Sequence, residues 1–186
     1  MNVASTRQDL LSRLQQIRQT VEKEFETLTE PQIQWKPAPD KWCVLECLTH
    51  LNMASQYYTT QLKFKLEHTP KNENTPKEFE MSFNGKLMLG FVDPKSSRKV
   101  PAPAMFKPKS YHLDTSKVLK RYYAILQDLE EALQKSEQID WNTKVVSPFT
   151  SWLKFRLGDV LIFVIAHQQR HLNQALRVML QPTFPK

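Results

Sequence analysis

Apolar residues recur at spacings of three and four positions in four long stretches of the chain, and this period is typical of amphipathic helices. The four stretches are residues 3–28, 43–67, 115–134 and 159–180. Pro31 follows the first stretch and Pro182 follows the fourth, and proline disfavours helix at the residue before it. The pattern predicts an all-α four-helix bundle, which we expect to be a single domain over residues 1–186.

Residues 68–114 interrupt this pattern between the second and third predicted helices. The interruption contains six prolines, each of which removes a backbone donor, so a long helix is excluded there. A short apolar piece, FNGKLMLGF at residues 83–91, lies among them, and Phe79 and Phe106 add apolar surface. Because a loop of this length without structure is unusual in a compact domain, we expect an ordered cover that packs on the bundle.

The composition excludes several classes of protein. The chain has 186 residues but only three glycines, and it contains neither the GxGxxG nor the GxxxxGK[ST] motif of nucleotide-binding loops. Its polar beginning lacks the apolar centre of a secretory signal, and its longest apolar run, residues 160–166, is too short to span a membrane. Two cysteines four positions apart do not predict a disulfide framework. We therefore expect a cytoplasmic protein.

The net charge of +7 is compatible with anionic partners. The lysines and arginines are scattered, however, and no helix-turn-helix spacing or RNA-binding motif accompanies them, so a solvated surface is favoured over nucleic-acid binding. Residues 68–110 hold eight Lys and Arg against four Asp and Glu. An anion-binding role for this segment remains open.

Two of the five histidines, His167 and His171, lie four positions apart in the segment VIAHQQRHL at residues 164–172. This spacing places both imidazoles on one helix face, where they can reach one metal ion at about 2.0–2.1 Å. The pair continues the apolar stripe of the fourth predicted helix. The alternative is that both rings lie at the polar rim of the stripe and bond to neighbours such as Gln168 or Gln174.

His50, on the second predicted helix, is the candidate for a third ligand. Facing helices of a bundle build sites from inward side chains, and three histidines are the ligand count of a catalytic zinc site with open positions. His68 and His112 flank the proline-rich segment and are expected at the surface. Glu46 and Asp159 are interpreted as helix-start residues rather than as catalytic bases.

Two segments of the sequence resemble the DinB-like family. WKPAPDKWCVLECLTHL at residues 35–51 resembles the second-helix motif of these proteins, and LGDVLIFVIAHQQRHLNQALRV at residues 157–178 resembles their last helix, in which HxxxH is followed by Gln. The resemblance implies an up-down four-helix bundle that holds a divalent metal with three histidines. In this sequence the matching positions are His50, His167 and His171.

The start of the second helix departs from the family pattern, because Cys43 stands where these proteins usually have Ser. Cys43 and Glu46 have the spacing of a capping box, so the departure bears on helix capping more than on the metal. Trp35 and Trp42 are expected to anchor the preceding loop over the end of the bundle.

The resemblance implies a metal-dependent enzyme but leaves its reaction open. Some relatives activate a low-molecular-weight thiol for transfer or isomerisation, and others are described as hydrolases. A metal can lower the pKa of bound water or bind a thiolate, so both a thiol S-transferase and a hydrolase acting on a small-molecule substrate are compatible. The alternative is a non-catalytic bundle that binds a small molecule or an anion.

The sequence limits the identity of the metal and the oligomeric state only broadly. Imidazole is a ligand for several divalent metals, so Zn, Ni, Fe and Mn all remain candidates. Relatives often pair, which implies a homodimer.

Three further residues are candidates for the pocket or for contacts that orient the ligands. Cys47, three positions before His50, is a candidate fourth ligand or thiol nucleophile, with a buried core residue as the alternative. Tyr57, seven positions after His50, either lines the pocket or packs in the core. Gln174, three positions after His171, has the spacing to orient that ring.

Overall fold

The computed structural model describes residues 1–72, 74–96, 100–109, 113–146 and 154–186. The helices in these ranges are α1 (Val3–Thr20), α2 (Glu30–Ile33), α3 (Val44–His68), α4 (Phe83–Phe91), α5 (Thr115–Lys135) and α6 (Leu157–Met179). Two strands, β1 (Lys144–Val146) and β2 (Lys154–Arg156), pair antiparallel before α6.

The predicted all-α four-helix bundle is confirmed, and α1, α3, α5 and α6 are its helices. The buried positions of α1, including Leu10, Leu14 and Ile17, follow the predicted stripe, which continues through one π-helical turn, Val21–Phe25. No strand is predictable from the sequence, because strands of three residues are too short to show an alternation of apolar and polar positions.

The four helices do not pack in the order of the chain. Helix α1 packs mainly against α5 and α6, and α3 also packs mainly against α5 and α6. Helices α1 and α3 therefore occupy opposite corners of the bundle. As a consequence α3 and α6, the second and fourth bundle helices, are neighbours, whereas they would be diagonal if each helix packed against the next one along the chain.

Helix α3 begins at a capping box in which cysteine replaces the usual hydroxyl residue. The backbone N–H of Glu46 donates to Cys43 Sγ at 3.3 Å, and the Cys43 N–H donates to Glu46 Oε2 at 2.9 Å. Lys36 Nζ donates to the other carboxylate oxygen at 3.1 Å. These bonds confirm the spacing argument and fix where α3 starts, and with it the direction in which His50 projects.

The segment between α3 and α5 contains a helix that the sequence analysis did not predict, α4, and a 3₁₀ turn at Ala104–Phe106. Buried Asp159, in the first turn of α6, accepts hydrogen bonds from the Ser82 N–H at 3.0 Å and from Ser82 Oγ at 2.6 Å. Gly85 lies against the same carboxyl group so closely that an added Cβ would overlap it. Glycine at this position therefore lets α4 approach α6.

The apolar residues of this segment divide into two groups. Phe79 and Phe106 are buried, as a docked cover requires, at 2% and 7% exposure. The expectation that Phe83 and Leu87 dock as well is wrong, because they are 81% and 52% exposed. The close approach of Gly85 to α6 turns the opposite side of α4, which carries both residues, towards solvent.

Candidate metal centre

Three histidines from two neighbouring helices meet inside the bundle. His50 projects from α3 and His167 from α6, and their Nε2 atoms are 3.2 Å apart. His171, one turn further along α6, completes the group, and one ring nitrogen from each residue lies within 4.8 Å of the others. His50 and His167 are buried at 3% and 8% exposure, whereas His171 is partly buried. The structure thus brings together the three histidines that the sequence analysis selected.

Contacts on the far side of two rings decide which nitrogen is available. His50 Nδ1 lies 2.8 Å from the carbonyl oxygen of Phe106, which can only accept, so this nitrogen carries the hydrogen. His171 Nδ1 lies 3.0 Å from Gln174 Oε1 and donates to it in the same way. The predicted contact of Gln174 with His171 is therefore present. In both neutral rings the Nε2 lone pair is left for a ligand.

The arrangement fits a divalent metal ion. Two nitrogens that each bind one ion at about 2.1 Å, with an angle of about 90–110° between the bonds, lie roughly 3.0–3.4 Å apart. The separation of 3.2 Å between the Nε2 atoms of His50 and His167 falls in this range. Among the described residues the cluster offers only uncharged imidazole nitrogens, a donor set that suits Zn, Ni or Fe better than Mn.

Burial keeps these imidazoles uncharged at neutral pH. Burial lowers the pKa of His50 and, together with the neighbouring His171 and His50, holds the pKa of His167 well below its usual range. Burial and the nearby His50 lower the pKa of His171 to about 3. Since metals bind the neutral ring, the protein presents the three ligands in the form that coordinates an ion.

Aromatic side chains enclose the cluster. The ring of Trp42 lies 5.0 Å from that of His50 and 5.9 Å from that of His171, measured between centroids. Phe163, one turn before His167 on α6, stacks on that imidazole at 5.7 Å. Trp42, predicted as a loop anchor, therefore also covers two of the three candidate ligands and restricts the access of water to them.

Cys47 and Tyr57, the two further candidates, pack among other side chains. Cys47 is fully buried in the core, its sulfur is not part of the ligand cluster, and burial raises the pKa of its thiol, which disfavours the nucleophilic thiolate. Tyr57 is half-buried, and its ring packs edge-on against Tyr58 at 5.7 Å.

Glu46, Asp159 and His68, the other described acids and histidines considered above, form hydrogen bonds away from the cluster. Glu46 and Asp159 bond to backbone N–H groups at the starts of α3 and α6, as predicted. His68 is exposed at the end of α3 and its Nδ1 lies 2.8 Å from the Phe64 carbonyl oxygen. His112 lies outside the described residues.

Sequence reasoning missed a buried polar chain next to the cluster. Tyr122 on α5 donates its hydroxyl hydrogen to Gln168 Oε1 at 2.8 Å, and Gln168 Nε2 donates to Ser55 Oγ on α3 at 2.7 Å. Gln168 is the neighbour of His167 on α6, so this chain ties three helices together beside the candidate ligands. A glutamine inside an apolar stripe was the available signal. The carbonyl group of Phe106 that orients His50 belongs to the backbone, so no residue type in the sequence indicates this contact.

Known proteins share this fold. YfiT from Bacillus subtilis, described as a probable metal-dependent hydrolase with an unusual four-helix bundle topology, superimposes with a TM-score of 0.59 at 14% identity. The alignment covers 93% of this chain and 85% of YfiT, and at this identity it shows the fold.

Relatives are also found by sequence. The uncharacterized protein YuaE of Bacillus subtilis (strain 168) is 22% identical over 151 residues, which are 81% of this chain and 85% of YuaE. The family model of the DinB superfamily matches residues 13–175, a span that includes all three clustered histidines. The chain belongs to the DinB superfamily.

Proposed function

We propose that the protein is a metal-dependent enzyme that binds one divalent cation through His50, His167 and His171 and acts on a small-molecule substrate. The observation that carries the proposal is the convergence of three buried or half-buried imidazoles, two of which are held by a hydrogen bond at Nδ1. The description of YfiT as a probable metal-dependent hydrolase supports it.

The chemistry follows from an uncharged ligand set. A divalent cation bound by three neutral imidazoles keeps its full charge and lowers the pKa of a coordinating water or thiol. The Phe106 carbonyl and Gln174 hold the rings of His50 and His171 in place, and Trp42 limits solvent on one side. This environment supports hydrolysis, with water as nucleophile, or S-transfer from a low-molecular-weight thiol.

Metal analysis of the purified protein tests the ligand assignment. We expect about one equivalent of Zn, Ni, Fe or Mn per chain, and near-complete loss in His167→Ala. His68→Ala is the matched control, because His68 is exposed and lies outside the cluster. Equal metal content in wild type and His167→Ala would refute the assignment.

Two assays then distinguish the reactions. Release of nitrophenol from nitrophenyl esters reports hydrolysis, and conjugation of chlorodinitrobenzene with cysteine, glutathione or coenzyme A reports thiol transfer. The proposal requires that at least one activity disappears both in His167→Ala and after chelation. A protein that binds metal but turns over neither substrate class would instead support the non-catalytic bundle.

The proposal extends to the setting of the enzyme. A single cluster of buried apolar side chains from Leu10 to Val178 supports one domain, and two free cysteines support a reducing, cytoplasmic location. Exposed Phe83, Leu87 and Phe91 on α4 provide an apolar surface for a homodimer. We propose no nucleic-acid partner. Among the described residues, no helix combines the length and apolar character needed to cross a membrane.

A further inference from the structure

A second concave site lies on the other side of the bundle. A cavity of about 970 Å³ opens between α1, α4 with the turn that follows it, and α6. Arg13, Gln16, Ile17 and Thr20, at spacings of three and four, contribute one face of α1 to its wall. The volume lies within the range of roughly 300–1,000 Å³ that is typical of small-molecule sites.

This cavity is separate from the histidine cluster because α6 lies between them. Successive residues of a helix are rotated by about 100°, so the side of α6 that carries Gln169, Asn173 and Leu176 is roughly opposite the side of His167 and His171. All three of these residues line the cavity, and neither histidine does. A ligand in the cavity therefore does not contact the candidate metal ligands.

The cavity is apolar at its floor. Ile17 and Leu172 form buried parts of it, at 3% and 4% exposure, and Leu89, Ile162 and Leu176 add partly buried apolar surface. Such a floor binds hydrocarbon by removing it from water.

The rim of the cavity is positively charged. It carries Arg13, Lys86 and Lys95 against one acid, Asp93. Arg13 is paired with Asp9 at 2.8 Å, and Lys86 is paired with Glu80 at 2.7 Å.

Lys95 is the third cation of the rim. In the described part of the chain, no acid lies within salt-bridge distance of its ammonium group. The Asp93 carboxylate instead accepts the backbone N–H of Lys95 at 2.9 Å. Asp93 offsets one positive charge, but the Arg170 guanidinium adds another at this edge, where it donates to the carbonyl oxygens of Asp93 at 2.9 Å and Ser96 at 3.1 Å. The rim therefore keeps a net positive charge near Lys95.

Gly90 marks open space in the wall of the cavity. A Cβ added to this residue would meet no atom within 4 Å, so packing does not require glycine at this position. Its backbone does not require glycine either, since it lies within helix α4. Glycine inside a helix is less favourable than alanine, because it loses more backbone entropy on folding. The gap beside Gly90 thus widens the cavity without serving the packing of α4.

We propose that this cavity binds a small amphipathic anion, with a carboxylate or phosphate near Lys95 and an apolar body on the floor formed by Ile17 and Leu172. The charge of the rim and the apolar floor match the two halves of such a molecule. The site is independent of the metal centre, so its occupation does not depend on the proposed enzymatic function.

Calorimetric titration of the full-length, chelator-treated protein tests the proposal with three probes of equal chain length: octanoate, octyl phosphate and 1-octanol. We expect saturable one-site binding of at least one anion, and 1-octanol to bind at least about tenfold more weakly. The stronger of the two anions identifies the head group. Absence of saturable binding by both anions, or equal binding of the alcohol, overturns the proposal.

Variants place the bound anion in the cavity. Gly90→Leu fills the open space and is expected to weaken binding at least about tenfold, and Lys95→Gln about fivefold. Gln169→Trp is a second occluding variant on α6, and circular dichroism identifies the variants that are folded. His167→Ala is expected to bind as wild type does. Unchanged binding in a folded occluding variant, or loss of binding in His167→Ala, overturns the assignment.

Discussion

The two sides of α6 both carry amide side chains, but these are buried and hydrogen-bonded on one side and line an open cavity on the other. On the side facing α3, His167 and Gln168 are buried, and both Gln168 side-chain polar atoms have a partner. On the opposite side, Gln169 and Asn173 line an open cavity. A buried polar group must be hydrogen-bonded, so its geometry is fixed, whereas a solvated one can exchange its partners. One helix can therefore carry a rigid set of candidate ligands on one side and an adaptable surface on the other.

The largest expected effect on stability comes from replacing each of two neighbouring glutamines, one on either side of α6, by alanine. Gln168→Ala removes two buried hydrogen bonds and leaves the hydroxyls of Tyr122 and Ser55 without partners, so we expect the free energy of unfolding to fall by about 3 kcal/mol. Gln169→Ala is the matched control, with a change within about 0.5 kcal/mol. Urea denaturation measures both, and equal losses would contradict the distinction between the two sides.

The second effect is the pH dependence of the stability of the metal-free protein. The folded pKa of His167 lies well below 6.5, so below this pH the unfolded chain takes up a proton that the folded chain does not. The free energy of unfolding is therefore at its full value above about pH 6.5 and decreases as the pH falls. We expect the contribution of this residue to lower it by about 2 kcal/mol at pH 5. Urea denaturation of chelated wild type and His167→Gln measures the difference in slope.

Neighbouring groups contribute to the same titration, so the comparison needs a control. His50 from α3 and His171 and Arg170 from α6 all act on His167 and remain in the variant. His68→Gln changes an exposed histidine and is expected to keep the wild-type slope. Identical slopes for wild type and His167→Gln would show that burial does not hold this ring neutral.

The third effect is on metal affinity. Gln174→Ala removes the acceptor of the His171 Nδ1–H, and loss of such a partner weakens metal binding by about tenfold. Asn173→Ala, one position earlier and on the cavity side, is expected to leave the affinity unchanged. Competition with a chromophoric chelator measures both, and an equal loss in the two variants would argue against an orienting role for Gln174.

The smallest effect is a gain in stability on the cavity side. Gly90→Ala adds a methyl group where no atom lies within 4 Å, so we expect the free energy of unfolding to rise by about 0.5 kcal/mol. Thermal melting at constant protein concentration detects the change. A loss of stability would mean that the space beside Gly90 is narrower than described.

The bundle helices were predictable because each buries one continuous apolar stripe. The predicted limits of α3, α5 and α6 agree with the structure to within two residues. The capping box at Cys43 and the helix-start role of Asp159 also follow from local spacing, because their partners are three positions away. The choice of His50, by contrast, needed the facing-helix argument together with the resemblance to a family.

Several other features have no local signal. The apolar residues of α4 predicted that this segment docks through them, but Phe83 and Leu87 lie on the side of the helix that faces solvent. The packing order of the helices is equally hidden, since periodicity defines a buried face but not its neighbour. The cavity depends on three segments that are distant in sequence, and the Gly90 that widens it is one of only three glycines in the chain.

The separation of His50 and His167 by 117 positions also has a consequence for biosynthesis. At translation rates of roughly 5–20 residues per second, His50 is made about 6–23 s before its partner on α6. During this interval the nascent chain contains His50, His68 and His112, of which only His50 belongs to the candidate ligand set, and one imidazole holds a divalent ion only weakly. We therefore expect the proposed metal loading to be a late event in biosynthesis, after α6 has docked beside α3, and a chain interrupted before α6 to compete only weakly for metal.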